Sequence, residues 1–276
     1  ILADNIWDYS HDDIPEAWRL IGEDPRDDVR APQFAQLVRA FMPDVLDLQE
    51  YSLHMHQQFY PLIRRYGYRI AYEGEEPWNN TPIFYNPETV ELVDVNYVLY
   101  APSCWSNIGS KSYTSAVFRK KDTGRLFAVV NTHLWWKSEA AQPGSTYARA
   151  AQVRLMMAEA EVLKNKYGCT IFVTGDMNAY EDSLPIRQFI EGGYTPCYKA
   201  ATDATDNGNG HHICGPKDGY SRTSRRRSPD REKGAIDHCF IYNAQEGVAV
   251  KVFDCITARI TVKLTDHYPY LIDAAL

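Results

Sequence analysis

The chain has 276 residues, 45% hydrophobic and 24% charged, a balance ordinary for soluble globular proteins with room for one large or two modest domains. Its net charge of −7 argues against affinity built on a broad basic face, since non-specific nucleic-acid binding rests on phosphate neutralisation; a phosphate ester gripped through a metal ion and a few local Arg stays compatible. No apolar run reaches the roughly 18 residues of a membrane-crossing helix, and the six Cys, with no C-x-x-C pair, read as buried thiols rather than a disulfide framework or zinc site.

The chain opens without Met on residues 1–7, an apolar strand with one embedded amide, Asn5. Such a start fits a removed leader or a trimmed end, so a soluble protein, cytoplasmic or secreted, is expected. Residues 8–31 read as a loop with a short helix near 15–21, and Pro32 opens a helix over 32–42. Val45–Glu50 is the next strand, acidic at its end; 53–66 is helical and Tyr68–Tyr72 extended. Ile83–Tyr85, Val90–Leu99 and Tyr113–Arg119 are strands, the last joined by a Lys-Asp-Thr-Gly turn to Leu126–Val130, which ends in Asn131-Thr132-His133-Leu134. A helix at 146–166 precedes the buried run Ile171-Phe172-Val173, and another follows at 183–191. Residues 201–233 form a long polar excursion with Arg222, Arg225, Arg226, Arg227 and Arg231, and loops of that length are usually functional or mobile. Strands at 234–242, 248–253, 260–264 and 270–275 complete a chain without linker or short-period repeat, so a single domain over 1–276 is expected.

The run 171–173 stops at Gly175, and Asp176 and Asn178 follow with one residue between them. Alternation in extended chain points both side chains to one side, suiting water activation beside an anion; a plain strand-to-loop turn is the competing reading. Polar residues recur at strand ends: Asn5, Glu50, His133, Asp176 with Asn178, Asp237, and Asp266 with His267. An ionisable group there is costly unless paired or metal-bound, and so many such places favour one shared site at a sheet edge. Oxygen donors without Cys suit a hard cation such as Mg²⁺. Two His could serve proton transfer and oxyanion stabilisation, nearby carboxylates holding them charged.

These motifs resemble those of the endonuclease/exonuclease/phosphatase superfamily, the metal-dependent phosphoesterases related to pancreatic deoxyribonuclease. Asn5, Leu48-Gln49-Glu50, Asn131-Thr132-His133-Leu134, Gly175-Asp176-Met177-Asn178, Ile236-Asp237-His238 and Thr265-Asp266-His267 occur in family order over nearly the whole chain. The resemblance implies a four-layered α/β/β/α sandwich, two mixed, mainly antiparallel sheets face to face with helices outside. It implies Mg²⁺ or Mn²⁺ held by Glu50, with Asn5 and Asp266, and a catalytic set of His133, Asp176, Asn178, Asp237 and His267. Asp176 would orient or deprotonate water, Asn178 and His133 would bind phosphoryl oxygens, and Asp237 would orient His267. Two departures stand out: Trp7 where some repair nucleases carry an acid, and Asn79 and Asn80 where deoxyribonuclease-like members place a carboxylate on the first His. Candidate substrate contacts are Asn80, Trp135, Arg225 and Arg226.

The expected activity is hydrolysis of a phosphate ester by a monomer, the substrate being a small molecule, a lipid headgroup or a nucleic acid. A DNA or RNA nuclease is the alternative, and a catalytically inactive binding module of the same fold the remote one.

Overall fold

The computed structural model of the protein describes residues 1–8, 24–72, 74, 78–100, 111–204, 235–256, 261, 264–265 and 267–276. In chain order its strands are β1 (Leu2–Asn5), β2 (Val45–Gln49), β3 (Arg69–Ile70), β4 (Ile83–Tyr85), β5 (Val90–Leu99), β6 (Ser112–Lys120), β7 (Leu126–His133), β8 (Thr170–Asp176), β9 (Thr195–Pro196), β10 (Asp203–Ala204), β11 (Asp237–Tyr242), β12 (Ala249–Cys255) and β13 (Tyr270–Ala275). The helices are α1 (Asp27–Phe41), α2 (Leu53–Arg64), α3 (Ser145–Tyr167), α4 (Leu184–Glu191) and α5 (Cys197–Ala200).

Strand alternation sorts the apolar residues into three interfaces, and those interfaces define four layers. Along β8, Ile171 and Val173 face α3 and meet its Val153, Met156 and Ala160, while Phe172 faces the other sheet. Along β2, Leu46 and Leu48 pack under Phe34 and Val38 of α1 and Phe59 and Ile63 of α2. Between the sheets lie Ala3, Val45, Phe118, Val129, Phe172, Phe253 and Tyr270. One sheet has the order β10-β12-β13-β1-β2-β4-β3 and the other β5-β6-β7-β8-β11-β9. Both are mainly antiparallel; β10 with β12, β1 with β2 and β7 with β8 are parallel pairs, the last two each joined by a segment containing a crossover helix. The expected α/β/β/α sandwich is the observed fold. No helix among the described residues is long and apolar enough to cross a membrane.

Two local expectations are corrected. Helix α1 starts at Asp27, not Pro32, and carries Pro32 inside it. Asp27 and Asp28 favour the helix amino end, and the buried Phe34 and Val38 offset the bond that Pro32 cannot donate. Of the short strand expected at 260–264, the described residues form a turn: Leu264 N donates to Thr261 O at 3.0 Å, and the Thr261 hydroxyl to Ile256 O at 2.8 Å. The helix expected near 15–21 and most of the 201–233 excursion lie outside the described residues. Cys169, Cys197, Cys239 and Cys255 are buried thiols.

Polar links join the two sheets near one end. Gln49 Nε2 donates to Asn131 Oδ1 at 2.7 Å, and the Thr174 hydroxyl donates to Asp47 Oδ2 at 2.8 Å. Burial pushes the Asp47 carboxyl up to about 7, against the opposing pull of Thr174 and the amino terminus. The folded value lies above the unfolded one, so the folded state keeps a proton that the unfolded chain releases above about pH 4. Stability attributable to Asp47 is therefore undiminished in acid and falls as pH rises to about 7. The Asp47→Asn variant should gain on the wild type between pH 5 and 8, by on the order of a few kcal/mol, in chemical unfolding. A stability difference independent of pH would refute the buried acid.

Candidate active site

Carboxyl ends of β1, β2, β7 and β8 meet the amino end of β11 at one edge of the sandwich. Register brings the residues level: Asn5 faces Gln49, and Asp176 lies between His133 on β7 and Asp237 on β11. Alternation turns Asn5, His133, Asp176 and Asp237 toward the space between the sheets. Glu50 would follow Leu46 and Leu48 outward, but its φ of 54° breaks the alternation and swings the carboxylate in. Gly175 allows the close approach of β7 and β8 here: at φ 139°, a Cβ on it would lie 2.0 Å from Thr132 O.

Asn5 Nδ2 donates to Glu50 Oε1 at 3.2 Å and to Asp176 Oδ2 at 3.0 Å. Its own Oδ1 accepts from Trp7 N at 3.0 Å, so the amide group braces the two carboxylates while the oxygen keeps one lone pair. Asp8 N donates to Glu50 Oε2 at 2.9 Å. His133 Nε2 lies 3.4 Å from Asp176 Oδ2 and 3.8 Å from Glu50 Oε1. On the far side of Asp176, His267 Nε2 stands 3.8 Å away while its Nδ1 meets Asp237 Oδ2 at 2.8 Å. That bond is the pairing expected of Asp237. The fully buried Arg30 holds these segments together, donating to Ile6 O, Trp7 O and Leu264 O at 2.5, 2.9 and 2.7 Å and pairing with Asp27.

Asn178 reaches the site differently from the expectation. The strand stops at Asp176, and Asn178 is left-handed with φ 47°, so alternation does not place it. Instead Asp176 Oδ1 accepts from Asn178 N at 2.8 Å, a turn closed by the carboxylate itself, and Asn178 Nδ2 donates to Leu134 O at 3.2 Å. Trp135 is a packing residue rather than a cleft wall: it is 3% exposed, and its indole N–H donates to Ser145 Oγ. The exposed indole is that of Trp136. Asn80 Nδ2 donates to Trp78 O, and Asn79 is occupied by Tyr72 O and the Thr114 hydroxyl. Asp266, Arg225 and Arg226 lie outside the described residues.

Lys111 is a site residue that sequence patterns missed. Its buried Nζ lies 2.6 Å from His133 Nε2 and 3.0 Å from Nδ1. A lone Lys at the head of a strand reads as surface, and nothing local marks it otherwise. Its charge also reverses the expectation of a charged His133. Burial first, then Lys111, pull the imidazole down to about 4, outweighing Asp176 and Glu50.

Glu50, His133 and Asp176 offer ligand atoms within 4.8 Å of one another, as do Asp176, Asp237 and His267. Two converging carboxylates with little competing sulfur chemistry suit a hard divalent cation, so the donor set fits such an ion. Lys111→Met should raise the His133 titration midpoint above about 4, followed by imidazole resonances in chelator-treated protein. A midpoint that stays or drops would show that Lys111 is not what suppresses protonation. Because the folded midpoint lies below the unfolded one, His133 also costs stability as pH falls from about 6.5.

Comparison with known proteins yields a family match and a consistent fold. The matching family is described as the Endonuclease/Exonuclease/phosphatase family, over residues 19–267. No curated protein sequence matches the chain. Among solved structures, a Bacteroides thetaiotaomicron mannosyl-6-phosphatase is 17% identical with a TM-score of 0.76, covering 100% of this chain and 98% of that one. The human Nocturnin catalytic domain with bound sulfate is 19% identical at 0.68, covering 100% and 94%. D. rerio TDP2 with a single-stranded DNA product is 14% identical at 0.67, covering 100% and 98%.

Proposed function

We propose that the chain, which belongs to the endonuclease/exonuclease/phosphatase family, hydrolyses a phosphate mono- or diester by in-line attack of an activated water. The observation that carries this reading is the row Asp237, His267, Asp176, His133 and Lys111, contacts of 2.8, 3.8, 3.4 and 2.6 Å, beside the inward-turned Glu50. A single catalytic domain over the whole chain, working as a monomer, is part of this proposal.

Glu50 and Asp176 would hold Mg²⁺ or Mn²⁺, which when bound polarises a phosphoryl oxygen and offsets developing negative charge. With Nδ1 on Asp237, His267 presents Nε2 toward Asp176. A water between them loses its proton to that pair as the new P–O bond forms and the ester P–O bond breaks. Neutral His133 and the Asn178 amide donate to the phosphoryl oxygens, and Lys111 supplies positive charge behind His133. Arg225 and Arg226 are proposed as further phosphate contacts of the substrate.

The net charge of −7 favours a small ester over duplex nucleic acid. The likeness to a mannosyl-6-phosphatase agrees with a phosphomonoester, and the likeness to a DNA-bound TDP2 keeps single-stranded ends within the test. Turnover of p-nitrophenyl phosphate, bis-p-nitrophenyl phosphate and a single-stranded oligonucleotide separates the three. No turnover of any, with metal supplied, would return the chain to a binding role.

Chelation by EDTA should abolish hydrolysis and Mg²⁺ or Mn²⁺ restore it, with Glu50→Gln requiring more metal at unchanged fold. Full activity in chelator would remove the metal assignment. Asp237→Asn and His267→Ala should each lower kcat by about two orders of magnitude, the scale of acid–base catalysis. The double variant should be little worse than His267→Ala, because paired residues are non-additive. A double loss equal to the product of the single losses would show that the two act separately.

A further inference from the structure

Tyr270 lies in β13, in the sheet that holds β1 and β2, yet its phenol crosses to the opposite sheet. Gly175 N donates to the Tyr270 hydroxyl at 2.9 Å, and the hydroxyl donates to His238 O at 2.8 Å. Gly175 and His238 face one another in register across β8 and β11. Two residues along, Met177 N donates directly to Ile236 O at 2.9 Å. At the Gly175 step, a side chain of the other sheet bonds to both strands. The next residue after Gly175 is Asp176, and the residue before His238 is Asp237. These two carboxylates also face one another in register.

We propose that Tyr270 is a positioning residue, its hydroxyl holding β8 and β11 at the separation and twist that set Asp176 against the Asp237–His267 pair. The proposal rests on the reading of Asp176 and Asp237 as catalytic groups. Tyr270 is 1% exposed, packed on Phe253 with ring centroids 5.9 Å apart, so its hydroxyl has little freedom to leave. Burial, with Cys239 and Asp237 nearby, pushes the phenol well above its ordinary range, so it keeps the proton given to His238. Gly175 makes the bridge possible: its φ of 139° belongs to backbone that other residues rarely adopt. A Phe at 270 keeps the ring and its packing but takes the hydroxyl from both the Gly175 N–H and the His238 carbonyl, so the tie from the other sheet to the two strands is lost.

The test is Tyr270→Phe beside Tyr68→Phe and Asp176→Asn, with bis-p-nitrophenyl phosphate or whichever simple ester is turned over. Tyr68 is equally buried and donates to Pro43 O at 2.6 Å, away from β8 and β11, so it loses the same kind of bond elsewhere. Tyr270→Phe should lower kcat by about tenfold to a hundredfold with KM within about threefold, since small misplacements of reacting groups cost on that scale. Tyr68→Phe should lower Tm by a similar amount and leave kcat within about twofold. Amide exchange at Gly175 should quicken only in Tyr270→Phe. A Tyr270→Phe enzyme with wild-type kcat, or equal kcat losses in both Tyr variants, overturns the proposal while loss of activity in Asp176→Asn leaves the functional reading standing. Retained activity in Asp176→Asn overturns that reading, and the proposal with it. If Tyr270→Phe does not fold, 2,3,5-trifluorotyrosine at 270 keeps ring and hydroxyl but changes hydrogen-bond strength; a kcat unchanged by fluorination overturns the proposal, and a changed kcat with steady KM supports it.

Discussion

Asp176 carries the constraint on which the arrangement depends: a carboxylate 2% exposed, tolerated only because donors converge on it from separate parts of the chain. The Asn178 amide reaches one oxygen, and Asn5 and both imidazoles stand around the other at 3.0, 3.4 and 3.8 Å. Each of these neighbours belongs to a different segment, and together they tie the ends of β1 and β7, the turn after β8 and the segment before β13. Arg30 adds a second tie between two of them through the carbonyls of Ile6 and Leu264. The folded state thus closes one end of the sandwich with polar contacts, while apolar packing fills the rest.

Beneath that end lies a layer of buried polar links between the sheets, Gln49 to Asn131 and Thr174 to Asp47. Such links are strong in a low-dielectric setting and expensive when half made, so they fix the relative height of the two sheets more sharply than interchangeable apolar contacts do. Backbone strain sits directly above them. Glu50 and Asn178 are left-handed at φ 54° and 47°, and Glu50 carries a side chain that ordinary strand geometry would aim elsewhere. The site is therefore built at strand ends but aimed by residues that have just left the strand.

The two imidazoles show how environment divides equal chemistry. His133 is buried beside an ammonium group and held neutral down to about pH 4. His267 is bonded through Nδ1 to a buried carboxylate, which sets which nitrogen faces the site. The state of His133 follows from burial first and then from Lys111, and the orientation of His267 from Asp237.

Much of this was determined by the sequence alone. The apolar runs and their spacing specify most strands and helices, because alternation and helical periodicity are local properties of the chain. The ordered motifs around Asn5, Glu50, His133, Asp176, Asp237 and His267 specify the family and the fold, and the burial cost of an ionic Asp237 demands a partner. Tertiary structure alone decided how those groups face one another. Asn178 arrives by a turn, not by strand alternation, and Asn5 braces the two carboxylates. Trp135 is buried with its indole on Ser145, and Lys111 reaches His133 from the neighbouring strand. Periodicity describes a residue's own strand and stops where the strand stops; beyond it, direction is set by left-handed backbone and by partners far along the chain, which meet only when the two sheets close.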